Sequence, residues 1–379
     1  MIKNIFLHIG VHKTASTTIQ NILFNERLKL AEAGILYPEF KAGDIPICNH
    51  SIPFYSLFCK EPEKYHINVS LGFTTNEAIQ QIHHNYRQQI KAQIADINGE
   101  TLIISGEDIW LLATNELKNL KAWLTKITYA EVNIRVVLLC RHPVSRFRSG
   151  LQGSVCSFGL PMEKAIERNL RRTLFYRNLI TSFSEVFGQE SIAVLKYEDA
   201  IRHSFGPAGA FLALVDKDLP DKIKLTLQHD NPASKYETFV LLNAINQTCY
   251  HTSGYELQPQ RMAELNELFR EMPGQKYILP QGLSKKVWEA LSEDANWLCR
   301  EFSLLEYQFI DEDLKADADI WRGQTLDCLR NLIPGLSPEY RRIILRELLK
   351  QAMSRQNKVL FGKRITLLNF VLTHLKEIL

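Results

Sequence analysis

The sequence predicts an α/β protein: a mostly parallel central sheet flanked by helices, followed by a C-terminal helical extension. Three observations lead there. Short β-branched runs alternate with longer helical patterns through the first part of the chain, as βαβ units require. The strand candidates are apolar on both faces, as strands buried inside a parallel sheet must be. From about Tyr236 onward no strand pattern remains, and helical periodicity takes over.

The elements follow in order. Candidate strands are Asn4–Gly10, Thr101–Ser105, Ile134–Cys140 and Ser191–Lys196. After the first, Ile19, Ile22, Leu23 and Leu28 mark one helix. Ile79, Ile82, Tyr86, Ile90 and Ile94 form a stripe at helical spacing, with His83 and His84 beside it at the surface. Helices are predicted over Tyr236–Thr248, Gln260–Glu271 and Lys285–Glu301. In the tail, Ser337 caps a helix opened by Pro338, whose apolar set is Ile343, Ile344, Leu345, Leu348, Leu349 and Met353. A catalytic domain over residues 1–312 and a helical extension over 313–379 are therefore expected.

Composition narrows the class. Of 379 residues, 45% are hydrophobic and 23% charged, which suits a globular protein with a sizeable core. The seven cysteines (Cys48, Cys59, Cys140, Cys156, Cys249, Cys299, Cys328) are scattered with no C-x-x-C pair, and read as reduced thiols. No apolar run approaches the roughly 18 residues needed to span a bilayer, and the N-terminus lacks a secretory pattern. A cytoplasmic protein without signal peptide or transmembrane segment is the expectation. Net charge is +3, but residues 315–379 hold 12 Lys+Arg against 6 Asp+Glu. The tail stripe Arg342, Arg346 and Lys350 is thus a candidate for peripheral contact with an anionic surface, or a solvated helix face. No nucleic-acid partner is expected.

Two segments carry chemistry. The first is Phe6-Leu7-His8-Ile9-Gly10-Val11-His12-Lys13-Thr14-Ala15-Ser16-Thr17-Thr18: a buried strand, a glycine turn, a lysine, a run of hydroxyls and a helix start. Helix N-termini present free N–H groups and a positive dipole end to phosphates and sulfates. The hydroxyls add donors and Lys13 adds a point charge. The second is Val136-Val137-Leu138-Leu139-Cys140-Arg141-His142-Pro143-Val144-Ser145-Arg146-Phe147-Arg148-Ser149. There a buried strand delivers Arg141 at its carboxyl end, where open α/β sheets bind ligands. Ser149 follows two turns into a helix, and together the fork and hydroxyl suit a terminal phosphate.

Lys13-Thr14-Ala15-Ser16-Thr17-Thr18 resembles the 5′-phosphosulfate loop of the sulfotransferase superfamily, closest to its carbohydrate branch, which includes heparan sulfate 2-O-sulfotransferases and bacterial relatives. His12 stands where usual members carry proline. Arg141, Pro143, Arg146 and Ser149 resemble the family's 3′-phosphate motif, and Ile192–Asp199 resembles its strand ending in Tyr-Glu-Asp, with Tyr197 near the nucleotide. The arginine-lysine-glycine segment of the steroid and phenol branch has no counterpart. The resemblance spans roughly residues 1–310.

It implies a P-loop-like sulfotransferase fold and transfer of sulfonate from 3′-phosphoadenosine-5′-phosphosulfate (PAPS) to a hydroxyl or amine of a glycan or glycoconjugate. The product is adenosine 3′,5′-bisphosphate (PAP), and no metal is needed. Lys13 would act at the bridging oxygen. The base is Glu107, just past the Thr101–Ser105 strand, or His50, where bacterial relatives often carry a histidine. Two other readings stand beside this one. A magnesium-dependent phosphotransferase needs G-x-x-x-x-G-K-[ST], whereas Lys13 follows Gly10 by three residues with no second glycine. A non-catalytic nucleotide-binding relative is the third.

Overall fold

The computed structural model describes residues 1–128, 131–171, 175–226, 234–253, 259–313 and 320–353, with 367, 369–371 and 373. The chain divides into two compact units: one of Met1–His142, Leu174–Asp230 and Asp294–Tyr307, the other of Pro143–Thr173, Asn231–Glu293 and Gln308–Leu379. No helix among the described residues is long and apolar enough to cross a membrane.

The first unit is an α/β layer structure. Its strands are β1 (Asn4–His8), β2 (Ile35–Leu36), β3 (Phe40–Ala42), β4 (Ile45–Ile47), β5 (Thr101–Ser105), β6 (Asn133–Cys140) and β7 (Ile192–Lys196). Five of them form one parallel sheet in the order β2-β5-β1-β6-β7, and β3 pairs with β4 as a separate antiparallel hairpin. Strand β1 sits in the middle, with Asn4 opposite both Thr101 and Asn133, and His8 opposite both Ser105 and Val137. Because every pair is parallel, the carboxyl ends of β5, β1 and β6 emerge at one edge. The chain leaves β1 toward β2 and β5 on one side and later returns to β6 and β7 on the other. That makes the end of β1 a topological switch point.

The interior follows from the strand sequences. Ile5, Leu7, Leu102, Ile103, Ile104, Val136, Val137, Leu138 and Leu139 are fully buried, as strands covered on both faces should be. One face packs against helix α1 (Ser16–Asn25) through Ile19, Ile22 and Leu23, and against the helix Gly206–Val215 through Ala208, Phe211 and Leu212. The sequence misses β2 and the β3–β4 hairpin, all of three residues or fewer, too short to show a period. Leu28, expected on the first helix, lies on a separate helix, Arg27–Glu32, and is 70% exposed. On Asn76–Asp96 the expected stripe is buried at Ile79, Ile82, Tyr86 and Ile90. His83, expected at the surface beside it, bonds Ser56 Oγ at 2.8 Å and is half-buried.

The second unit is built around a helical core. Val144, Phe147 and Leu151 of the helix Pro143–Cys156, Leu241, Leu242 and Ile245 of Tyr236–Ser253, and Ile344, Leu345 and Leu348 of Pro338–Met353 are all buried in it. The tail's described helices, Gly323–Leu332 and Pro338–Met353, thus help form this core. Ser337 Oγ accepts the Tyr340 N–H at 3.3 Å, capping the second of them. Met353, expected on its apolar face, is exposed, and Ala352 is buried instead.

Beneath the carboxyl edge of the sheet lies a buried polar network. Ser105 Oγ meets His8 Nδ1 at 2.7 Å, the Ser105 N–H donates to His50 Nδ1 at 3.1 Å, and the His50 N–H donates to the Ser105 carbonyl at 2.9 Å. Gln20 Nε2 donates to both Asn49 Oδ1 and the Ser105 carbonyl, each at 3.3 Å. His50 Nε2 lies 2.9 Å from the Pro38 carbonyl, and its ring stacks on Tyr37 at 4.2 Å. Since Nδ1 accepts a backbone N–H and Nε2 faces a carbonyl, His50 is neutral with its proton on Nε2. Burial lowers His50 from 6.5 to about 3 and His8 from 6.5 to about 4.

Two expectations follow. A Cβ on Gly99 would come within 2.2 Å of the Gly34 carbonyl oxygen, which accepts the Glu100 N–H at 3.2 Å where β2 joins β5. Gly99→Ala should therefore lower stability by about 1–3 kcal/mol in urea unfolding, and an unchanged midpoint rules out that tight approach. The second concerns pH. Both buried histidines bind protons less readily folded than unfolded, so their stabilisation is complete above about 6.5 and is lost as pH falls toward about 4 for His8 and about 3 for His50. At pH 5 each imidazole costs about 2 kcal/mol of that stability. Urea unfolding at pH 7 and pH 5 should show the loss, and His50→Gln should shrink it. Equal stability at the two pH values contradicts neutral buried rings.

Candidate functional site

The loop after β1 has a shape that its residues alone would not choose. Lys13 (φ 71°) and Ala15 (φ 67°) both lie in the left-handed region, at about 1–2 kcal/mol each for residues with a Cβ. Gly10 permits the fold-back: a Cβ there would sit 2.3 Å from Ser16 Oγ. Thr14, fully buried, donates its hydroxyl to the Val11 carbonyl at 2.5 Å, and Ser16 donates to the same oxygen at 3.4 Å. Of the four hydroxyls expected around an anion, these two hold the loop itself. Thr17 is exposed and Thr18 half-buried. Ala15 precedes α1 without any side-chain cap, and the first turn carries no acidic residue. The exposed Lys13 ammonium has no ion partner among the described residues.

Two further strand ends reach this loop. Arg141, directly after β6, donates from Nη1 to the Lys13 carbonyl at 2.7 Å, and its guanidinium lies 4.3 Å from the centre of the Tyr197 ring. The end of β6 is anchored in turn, since the His142 N–H donates to Glu198 Oε1 at 2.9 Å. Lys13, Arg141 and Tyr197, drawn from three separate stretches of sequence, therefore form one contiguous basic face.

On the β5 side the face is acidic. Glu107 Oε1 lies 2.7 Å from His12 Nδ1, and Asp108 Oδ1 lies 3.8 Å from His12 Nε2. Asp108 is fixed by the Tyr65 hydroxyl, which donates to Oδ2 at 2.6 Å, and by its own N–H donating to Ser51 Oγ at 2.7 Å. The Trp110 ring stands edge-on to His12 at 5.7 Å. Among the described residues, no group of three or more His, Cys, Asp or Glu is placed to hold a metal ion.

The predicted residues thus fall into three sets. Lys13 and Ala15 shape the loop and Arg141 closes it beside Tyr197, while Glu107 stands at the neighbouring strand end. His50, the second candidate base, is fully buried with both ring nitrogens on backbone groups, so it has no lone pair to offer a substrate. Arg146 and Ser149 lie on the helix Pro143–Cys156 of the second unit, both half-buried. On that helix Arg148 pairs with Glu312 at 2.8 Å, and Ser145 Oγ donates to the other Glu312 oxygen at 2.7 Å. The residue that sequence reasoning left without a role is His12. Its departure from the usual proline was visible, but its carboxylate partners sit 95 and 96 positions away in the chain.

An anionic ligand suits the basic face on three counts. The loop folds against a position closed to a Cβ, an exposed lysine has no ion partner among the described residues, and an arginine guanidinium lies 4.3 Å from the centre of an aromatic ring.

Comparison with known proteins adds little. No family model matches the chain, and no curated protein matches it. Among solved structures, a sulfotransferase from Alicyclobacillus acidocaldarius aligns at 13% identity and a TM-score of 0.32, over 69% of this chain and 100% of that one. Retinol dehydratase, crystallised with androsterone and the inactive cofactor PAP, aligns at 11% identity and a TM-score of 0.26, over 93% and 81%. Alignments this loose carry no argument about chemistry.

Proposed function

We propose that this protein is a sulfotransferase, moving sulfonate from PAPS to a hydroxyl or amine of a carbohydrate or glycoconjugate. One observation carries the reading: the two segments that resemble the family's nucleotide motifs touch each other, Arg141 Nη1 to the Lys13 carbonyl at 2.7 Å across 128 residues of sequence. The acceptor class rests on the resemblance to the carbohydrate branch.

The residues supply what sulfonate transfer demands, which is positioning and charge stabilisation on the leaving oxygen. PAPS supplies the activated sulfonate. The Lys13 ammonium stabilises charge at the bridging oxygen, a role worth on the order of 3–4 kcal/mol for a comparable oxyanion donor. The uncapped start of α1 presents backbone N–H groups to the 5′ side. Arg141, held against Tyr197, takes the 3′-phosphate through its planar fork.

The test begins with ligand binding. PAP should raise the melting temperature, with 5′-AMP much weaker and ATP with Mg²⁺ weaker still. Equal shifts from PAP and 5′-AMP remove the 3′-phosphate assignment, and a larger shift from ATP with Mg²⁺ turns the reading to a phosphotransferase. Lys13→Ala should lower turnover of PAPS by about 10²–10³-fold while weakening PAP far less. Weaker binding at normal turnover makes Lys13 a holding group only.

A further inference from the structure

His12 occupies the border between the basic and acidic faces, and its two ring nitrogens are in different situations. A carboxylate only accepts, so at 2.7 Å from Glu107 Oε1 the His12 Nδ1 must carry the proton. In the neutral ring Nε2 then carries the lone pair. Asp108 Oδ1, at 3.8 Å, is beyond hydrogen-bond reach of that nitrogen. The His12 side chain is 48% exposed, whereas those of Glu107 and Asp108 are 21% and 9% exposed. The imidazole is therefore more open to an incoming substrate than either carboxylate. The next residue in the chain is Lys13.

We propose that His12, rather than Glu107, is the catalytic base, and that Glu107 is its positioning residue. The proposal rests on the sulfonate-transfer reading above. His12 Nε2 takes the proton of the acceptor hydroxyl as that oxygen bonds to sulfur. The bond from sulfur to the bridging oxygen breaks, and its electron pair stays on that oxygen, beside Lys13. His12 afterwards releases the proton to solvent. Glu107 holds the ring with Nδ1 protonated and stabilises the imidazolium while it lasts, as an orienting carboxylate does for a general base. Among the described residues, the charged or titratable groups paired with the ring are Glu107 and Asp108, with Lys13 next in the chain; the Trp110 ring lies 5.7 Å away, nearly perpendicular to it.

The test uses the full chain with PAPS, once with water as the acceptor and once with heparosan, an unsulfated polysaccharide, following PAP release across pH. His12→Gln should lower turnover by about 10²-fold or more while PAP affinity changes by less than about threefold. Adding Glu107→Gln to that variant should cost nothing further, because Glu107 acts only through His12. The reverse order, with Glu107→Gln inactive and His12→Gln near normal, overturns the proposal. So does a loss of PAP affinity in His12→Gln that matches its loss of turnover, or a wild type that binds PAP but never releases it from PAPS. Nitrogen-15 spectra of the ligand-free protein test the pairing independently: His12 should show a protonated Nδ1 and a lone pair on Nε2, and the opposite tautomer overturns the assignment. A protein that fails to bind PAP but shows the expected tautomer removes the sulfonate-transfer reading and leaves the His12–Glu107 pair standing.

Discussion

Everything functional in the first unit depends on β1 being paired on both sides. A strand in the middle of a parallel sheet cannot shift by one residue without moving its buried side chains to the opposite face. With Ile5, Leu7 and His8 all fully buried and His8 bonded to Ser105, that slip would disrupt the packing on both faces and strand a polar ring. The register is therefore fixed against β5 and β6 together, at Asn4–Thr101 and Asn4–Asn133. Three loops that are distant in sequence leave the sheet side by side as a result. Contacts between Lys13 and Arg141, and between His12 and Glu107, are consequences of that single alignment.

The network under the sheet edge gives the loops a rigid floor, and it explains the division of labour among the histidines. His8 and His50 are neutral because burial makes their charged forms costly, and each uses a ring nitrogen to hold Ser105 in place. A ring so engaged is a structural hydrogen-bonding unit. His12 sits two residues beyond Gly10, outside the floor, where the same side chain is half-exposed and meets carboxylates instead of backbone. Identical chemistry acquires different uses through burial and through its partners.

How much of this was legible in the sequence differs by element. Strands β1, β5, β6 and β7 announce themselves because both faces are buried, so their apolar runs are unbroken. The two-residue β2 lacks the length to show any pattern. Lys13, Glu107 and Arg141 could be singled out as candidates because each lies just past a legible strand, and carboxyl ends are where such sheets bind ligands. Their mutual contacts could not be found, because strand order is not written in local periodicity. Nothing in Gly10–Ser16 says that β5 lies on one side of it and β6 on the other. His50 misled for the same reason. The hydrogen bonds to Pro38 and Ser105 that place it inside the sheet edge join stretches far apart in the chain. Thr14 likewise reads as an anion donor until its proton is seen to go to Val11.

The loop itself shows how shape and binding are tied together. Two left-handed residues with side chains cost about 1–2 kcal/mol each. The Thr14 bond to Val11, at about 1 kcal/mol net, does not offset both. The charged bond from Arg141 to the Lys13 carbonyl, of the kind worth about 1.5–3 kcal/mol, closes the difference. Arg141 thus helps set the curvature that presents Lys13, in addition to whatever anion its guanidinium receives. Tyr197, its ring centre 4.3 Å from the guanidinium, and the anchored β6 end matter for the same reason: they help hold the guanidinium in place, so the loop is formed before a ligand arrives. A site prepared in this way binds without first ordering its own backbone. The strained φ angles at Lys13 and Ala15 and the long-range Arg141 contact therefore belong to one energy balance in the loop.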